Sequence, residues 1–101
     1  MAKCTPKTFM KVTPKAFEVM GGILAENELP VPKDKNTGKY KLSGTIRGSG
    51  VEVAYIFRPE KAELFIHVQK KPWIVSCDYV ADKIGEFVKE AQSKAPKGSN
   101  N

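Results

Sequence analysis

His67 is the single histidine of the chain, and a carboxylate such as Glu52 set across a strand pair from it could orient the imidazole for general-base work. No serine or cysteine nucleophile falls in the same patch, so an ordinary polar cross-strand pair is expected and catalysis is not. Cys4 and Cys77 are the only cysteines, and with one histidine they cannot assemble a closed zinc site. Arg47-Gly-Ser-Gly50 has glycines but lacks the second flanking glycine and Lys-Ser/Thr of a phosphate-binding loop; a hairpin turn suits it better. No cofactor or metal is implied.

Charge is the broader signal. The 101 residues carry a formal net charge of +6, unevenly spread. Lys3, Lys7, Lys11 and Lys15 stand without an acid near the N-terminus, and Lys33, Lys35, Lys39 and Lys41 face Asp34 alone. From residue 78 onward lysines and acids balance. Lys39, Lys41, Arg58 and Lys61 are expected to gather at one end of a sheet, where they could meet an anionic partner such as nucleic acid.

These residues need elements to hold them. Thr5-Pro-Lys-Thr-Phe9 and Thr13-Pro-Lys-Ala-Phe17 form a near-repeat, each copy reading as a helix start with Thr at the cap and Pro in the first turn. Pro14 stops the first copy after a turn or two, so the helix proper begins at Thr13 and buries Phe17, Met20, Ile23 and Leu24. Gly21-Gly22 either permits close packing on the sheet or marks a bend. Leu29-Pro-Val-Pro32 ends the helix.

From Gly44 to Val68 apolar and polar residues alternate. A turn at Gly48-Ser49 would set Ile46 against Val51 and Gly44 against Val53. A turn at Pro59-Glu60 would set Phe57 against Ala62, Tyr55 against Leu64 and Glu52 against His67. Both turns send Val53, Tyr55 and Phe57 inward, and a one-residue slip would expose them all. A short further strand from Trp73 to Val75 is expected at the sheet edge, with Trp73 as a lid on the core. A second helix runs from about Ser76 or Cys77 to Gln92, with Val80, Ile84, Phe87, Val88 and Ala91 on its apolar stripe. Cys77 reads as a small buried residue at its start.

The expected fold is α+β, a two-layer sandwich of helix, three or four antiparallel strands as a meander, and helix, both helices on one sheet face. Residues 1–12 read as a basic N-terminal arm, 13–92 as one domain, and 93–101 as a disordered tail. The order resembles that of double-stranded-RNA-binding domains, but these carry a Lys-rich motif where this chain has Ser76-Cys-Asp-Tyr-Val-Ala-Asp-Lys83, whose acids would repel phosphate.

The sheet face away from the helices is therefore open. Ile56, Phe65, His67 and Ile74 would form its apolar centre within a polar and basic rim. That pattern suits a protein partner or a second copy of the chain; single-stranded nucleic acid, stacked on Phe65 and held by Lys39, Lys41, Arg58 and Lys61, is the alternative. The expectation is a non-enzymatic binding module. Free thiols, no apolar leader and no run near the ~18 residues of a membrane span suggest a cytoplasmic protein with no membrane partner.

Overall fold

The computed structural model describes residues 4–48 and 50–95. Helix α1 spans Pro14–Glu26 and begins where the second Thr-Pro pair stands: Thr13 Oγ1 accepts the Ala16 amide at 3.1 Å, and Pro14 fills the first turn, where no amide donor is needed. It ends at Asn27, whose side chain donates back to the Ile23 carbonyl at 2.8 Å. Helix α2 spans Cys77–Lys94. Ser76 caps it by accepting the Tyr79 amide, and Asp78 and Lys94 oppose the helix dipole at its two ends.

Four antiparallel strands, β1 (Lys7–Phe9), β2 (Ser43–Gly48), β3 (Val51–Arg58) and β4 (Glu63–Lys70), form one sheet in the order β1-β4-β3-β2. Val53, Tyr55 and Phe57 of β3 and Leu64, Ile66 and Val68 of β4 point to one side. There they share a core with Phe17, Met20, Ile23 and Leu24 of α1 and with Val80, Val88 and Ala91 of α2. Each Val, Leu, Ile, Met or Phe among them contributes about 1.5–3 kcal/mol by leaving water. The α+β arrangement expected from the alternation is present, with both helices on the same face.

The strand register differs from expectation by two residues in each hairpin. Gly48 pairs with Val51 and Ile46 with Val53, and the chain reverses through Gly50 at φ 77°. Ser49, half of the expected turn, lies outside the described residues. At the other end Phe57 pairs with Leu64 and Tyr55 with Ile66. Four residues, Pro59 to Ala62, make that loop; Ala62 is held at φ 53° while its carbonyl accepts the buried Val12 amide at 2.8 Å. A shift of two preserves which side chains face inward, so the faces stand and only the cross-strand partners change.

The fourth strand lies at the other end of the chain from the one expected. Residues 73–75 are a turn, with the Val75 amide donating to the Pro72 carbonyl at 3.0 Å. It is Lys7-Thr-Phe9, read from sequence as a helix start, that pairs with the free edge of β4. An edge of unpaired amides outweighs a local capping signal. Residues 4–12 are accordingly part of the domain: Cys4 and Val12 are buried, and Gln92 donates from α2 to the Met10 and Lys11 carbonyls. Of the expected C-terminal tail, 93–95 belong to the end of α2, with Ala95 buried, and 96–101 lie outside the described residues.

Cys4 and Cys77 form a disulfide, Cα atoms 5.3 Å apart. The expectation of free thiols is overturned, because β1 brings the N-terminal segment to the start of α2. The cysteine argument for a cytoplasmic location lapses with it. Among the described residues no helix is long and apolar enough to cross a membrane.

Candidate functional site

The revised register disperses the imidazole–carboxylate pair. His67 lies opposite Ala54, while Glu52 sits between Arg47 and Lys70 and forms an ion pair with Arg47 at 3.5 Å. Ile56 and Phe65 are directly paired on the open face, with Thr8 of β1 on the far side of Phe65. Ile56 is 42% exposed; Phe65 and His67 are half-buried. Ile74 is not on this face. It sits in the loop between β4 and α2, exposed beside Trp73, which is a surface residue rather than a core lid.

The four basic residues are exposed but held by different segments. Lys39 and Lys41 precede β2 on a loop tied to Asp34 and Pro32 by backbone hydrogen bonds. Arg58 ends β3 and forms an ion pair with Glu63 at 3.8 Å, and Lys61 lies in the β3–β4 loop. Among the described residues no cluster of three or more His, Cys, Asp or Glu is placed to hold a metal ion.

The larger feature is on the other side of the sheet. The helices do not close fully on it, and a cleft of about 260 Å³ remains between the layers. Its floor is buried: Phe17, Met20 and Leu24 from α1, Val53, Tyr55, Leu64 and Ile66 from the strands, and Val80 from α2. Its rim is half-exposed or exposed, made by Leu29 after α1, Gly48 and Val51 of the β2–β3 hairpin, Pro72 and Val75 of the β4–α2 loop, and Tyr79 and Lys83 of α2. The cleft is thus open to solvent where these segments meet.

Almost every atom facing the cleft is carbon. The Tyr55 hydroxyl is already engaged, donating to the Lys41 carbonyl at 2.7 Å, and burial pushes its pKa up to about 12. Lys83 stands at the rim, its ammonium 5.8 Å from the Tyr79 ring centroid and 3.8 Å from the Glu86 carboxylate. Water held in a cavity needs two to four polar partners, and this lining offers few.

Sequence reasoning did not find the cleft. The two glycines in its lining mark close approaches by neighbouring side chains, not the empty space. Gly21 lets the Tyr40 ring approach so closely that a Cβ there would be 2.6 Å from it, and a Cβ on Gly48 would run into the end of Leu29. Of the two readings open for Gly21-Gly22, Gly21 shows close packing, with Tyr40 in the loop before β2 rather than with the sheet.

No family model, curated protein or solved structure matches this chain.

Proposed function

We propose that this protein is a binding protein that holds a small apolar molecule in the cleft between its helices and its sheet. The observation that carries the reading is the cleft itself: about 260 Å³ of space, walled by aliphatic and aromatic side chains, with a solvent-facing mouth. Small-molecule sites are concave and mainly apolar, with few polar groups. A dry cavity of about 150 Å³ accepts benzene, so by proportion this one takes a body of roughly ten carbons. The buried floor offers carbon and one engaged hydroxyl, and the Lys83 ammonium at the rim is held by Glu86 and Tyr79, which favours holding over transforming.

Displacement of an apolar fluorophore by decanol tests the proposal. The protein should raise the fluorophore's emission, and decanol should reverse it. Val53→Phe and Val80→Phe place rings in the cleft and should weaken binding at least tenfold while leaving the far-ultraviolet circular dichroism unchanged. Absence of binding up to the solubility limit, or undiminished binding by folded variants, ends the reading.

A second reading rests on the open sheet face. Ile56 is exposed beside Phe65, a pairing suited to a symmetric contact with a second copy of the chain. Sedimentation velocity should then show a dimer that Ile56→Glu converts to monomer; a monomer at every concentration removes it.

A further inference from the structure

The loop from Lys70 to Val75 carries two side chains that neither the core nor the cleft uses. Trp73 is 90% exposed and Ile74 73% exposed, side by side at the tip. An isolated exposed apolar residue is ordinary on a protein surface, but an adjacent Trp–Ile pair at a loop tip is not easily dismissed that way. The residues on either side, Pro72 and Val75, line the mouth of the cleft, and Tyr79 of the same rim is 54% exposed. Lys70 and Lys71 immediately precede the tip, and Lys83 stands one turn beyond Tyr79.

We propose that this loop is a surface contact for an anionic lipid layer, through which the cleft exchanges its apolar ligand. The proposal rests on the cleft reading above. Tryptophan favours the boundary between water and hydrocarbon, where its ring is buried and its N–H stays wet. Lysines beside it are drawn to acidic headgroups, an attraction that salt screens. Glu52 lies opposite Lys70 across the strands, Glu86 forms an ion pair with Lys83, and Asp78 is exposed in the first turn of α2, so the electrostatic part is modest and the Trp–Ile pair is the anchor. A single weak anchor gives reversible attachment, which suits a carrier that must leave again. The occupant follows from the cleft: a molecule that fits an apolar site is sparingly soluble and partitions into lipid, so a mouth that touches lipid shortens its path through water. The sequence alone led to an expectation of no membrane partner. Contact of this kind needs no spanning helix, and it is carried by the exposure of the loop.

Trp73 is the only tryptophan of the chain, so intrinsic emission reports on this loop alone. Phosphatidylcholine vesicles containing phosphatidylglycerol should shift that emission to the blue, phosphatidylcholine alone should do so less, and high salt should reverse most of the difference. Ile74→Ser with Lys70→Ser and Lys71→Ser should reduce the shift several-fold. Trp73→Ala with Ile74→Ser should still bind the fluorophore in vesicle-free buffer, since neither residue lines the cleft, yet collect it from loaded anionic vesicles several-fold more slowly. Emission indifferent to anionic vesicles overturns the contact, as does a blue shift that grows with protein concentration without lipid, which would mark a second copy as the occupant. Equal collection rates overturn the exchange step. Failure to bind the fluorophore in buffer is a separate result and falls on the cleft reading.

Discussion

Phe17 of α1 lies flat against Phe57 of β3, ring centroids 4.3 Å apart and planes 8° from parallel. Both are buried, and the pair fastens the first helix to the middle of the sheet. Phe57→Ala should lower the unfolding free energy by about 3–5 kcal/mol, the cost of a lost ring and the space it leaves. Ile56, one residue earlier, points to the open face, and Ile56→Ala should cost under about 1 kcal/mol through its contact with Phe65. Urea unfolding of the two variants compares the faces directly; equal losses would refute the assignment.

The Tyr55 phenol gives stability a high-pH limit. Its pKa in the folded protein is raised to about 12 by burial, against 10.0 in the unfolded chain. The unfolded form therefore releases its proton first as pH rises. The full contribution holds below about pH 10 and is lost progressively as pH climbs through 12, a change of about 2–3 kcal/mol. Tyr55→Phe should flatten this part of the profile while costing about 1 kcal/mol at neutral pH, because the Lys41 carbonyl loses its donor. Urea midpoints across the alkaline range check it, and an unchanged slope in the variant would assign the loss to other groups.

What the sequence displayed and what it concealed differ in physical kind. The alternation along Val51–Phe57 and Leu64–Val68 is a local signal of a half-buried sheet, and it placed every inward residue correctly. Parity is all that alternation encodes, so an error of two residues left the faces right and the cross-strand partners wrong, which is why Glu52 appeared to face His67. Gly48 and Gly50 both permit a reverse turn, and nothing local chooses between them. Lys7–Phe9 became a strand because of an edge more than fifty residues away, a contact no window on the chain contains. Trp73 reads from the sequence as a lid on the core and Ile74 as part of the open sheet face, both on a strand at 73–75, and the turn at Pro72 carries both out to the surface instead. A cleft is space that side chains fail to fill, and no residue type records it; its lining glycines, Gly21 and Gly48, are covered by Tyr40 and Leu29.

The bond between Cys4 and Cys77 closes a loop across a sequence separation of 73, joining the segment before β1 to the first turn of α2. It restricts the unfolded chain, and breaking it should cost about 2–4 kcal/mol. Dithiothreitol should lower the urea midpoint of the parent protein and leave that of Cys4→Ser with Cys77→Ser unmoved. In the parent, no thiol should react with Ellman's reagent before reduction even when the chain is unfolded. Two reactive thiols in unreduced, unfolded protein would contradict the pairing and restore the argument for a reducing compartment.

Gly21 and Gly22 are neighbours in α1 with opposite surroundings, so one substitution should have opposite signs at the two positions. A Cβ at Gly22 meets nothing within 4 Å. Gly22→Ala should therefore stabilise by about 0.5–1 kcal/mol, the difference in helix preference between the two residues. At Gly21 the same methyl lies 2.6 Å from Cε2 and Cζ of Tyr40. That ring is packed edge-on to Phe17 and sits under the Lys33 ammonium, while its backbone bridges to Lys33. It has little freedom to yield, and Gly21→Ala should destabilise by about 1–3 kcal/mol. The Tyr40→Ala background should relieve that clash, so adding Gly21→Ala there should no longer cost stability, a coupling that a double-mutant cycle reads. Equal gains at both glycines in the parent would mean that Tyr40 does not cover α1, and the wall of the cleft beside Gly21 would then have to be redrawn.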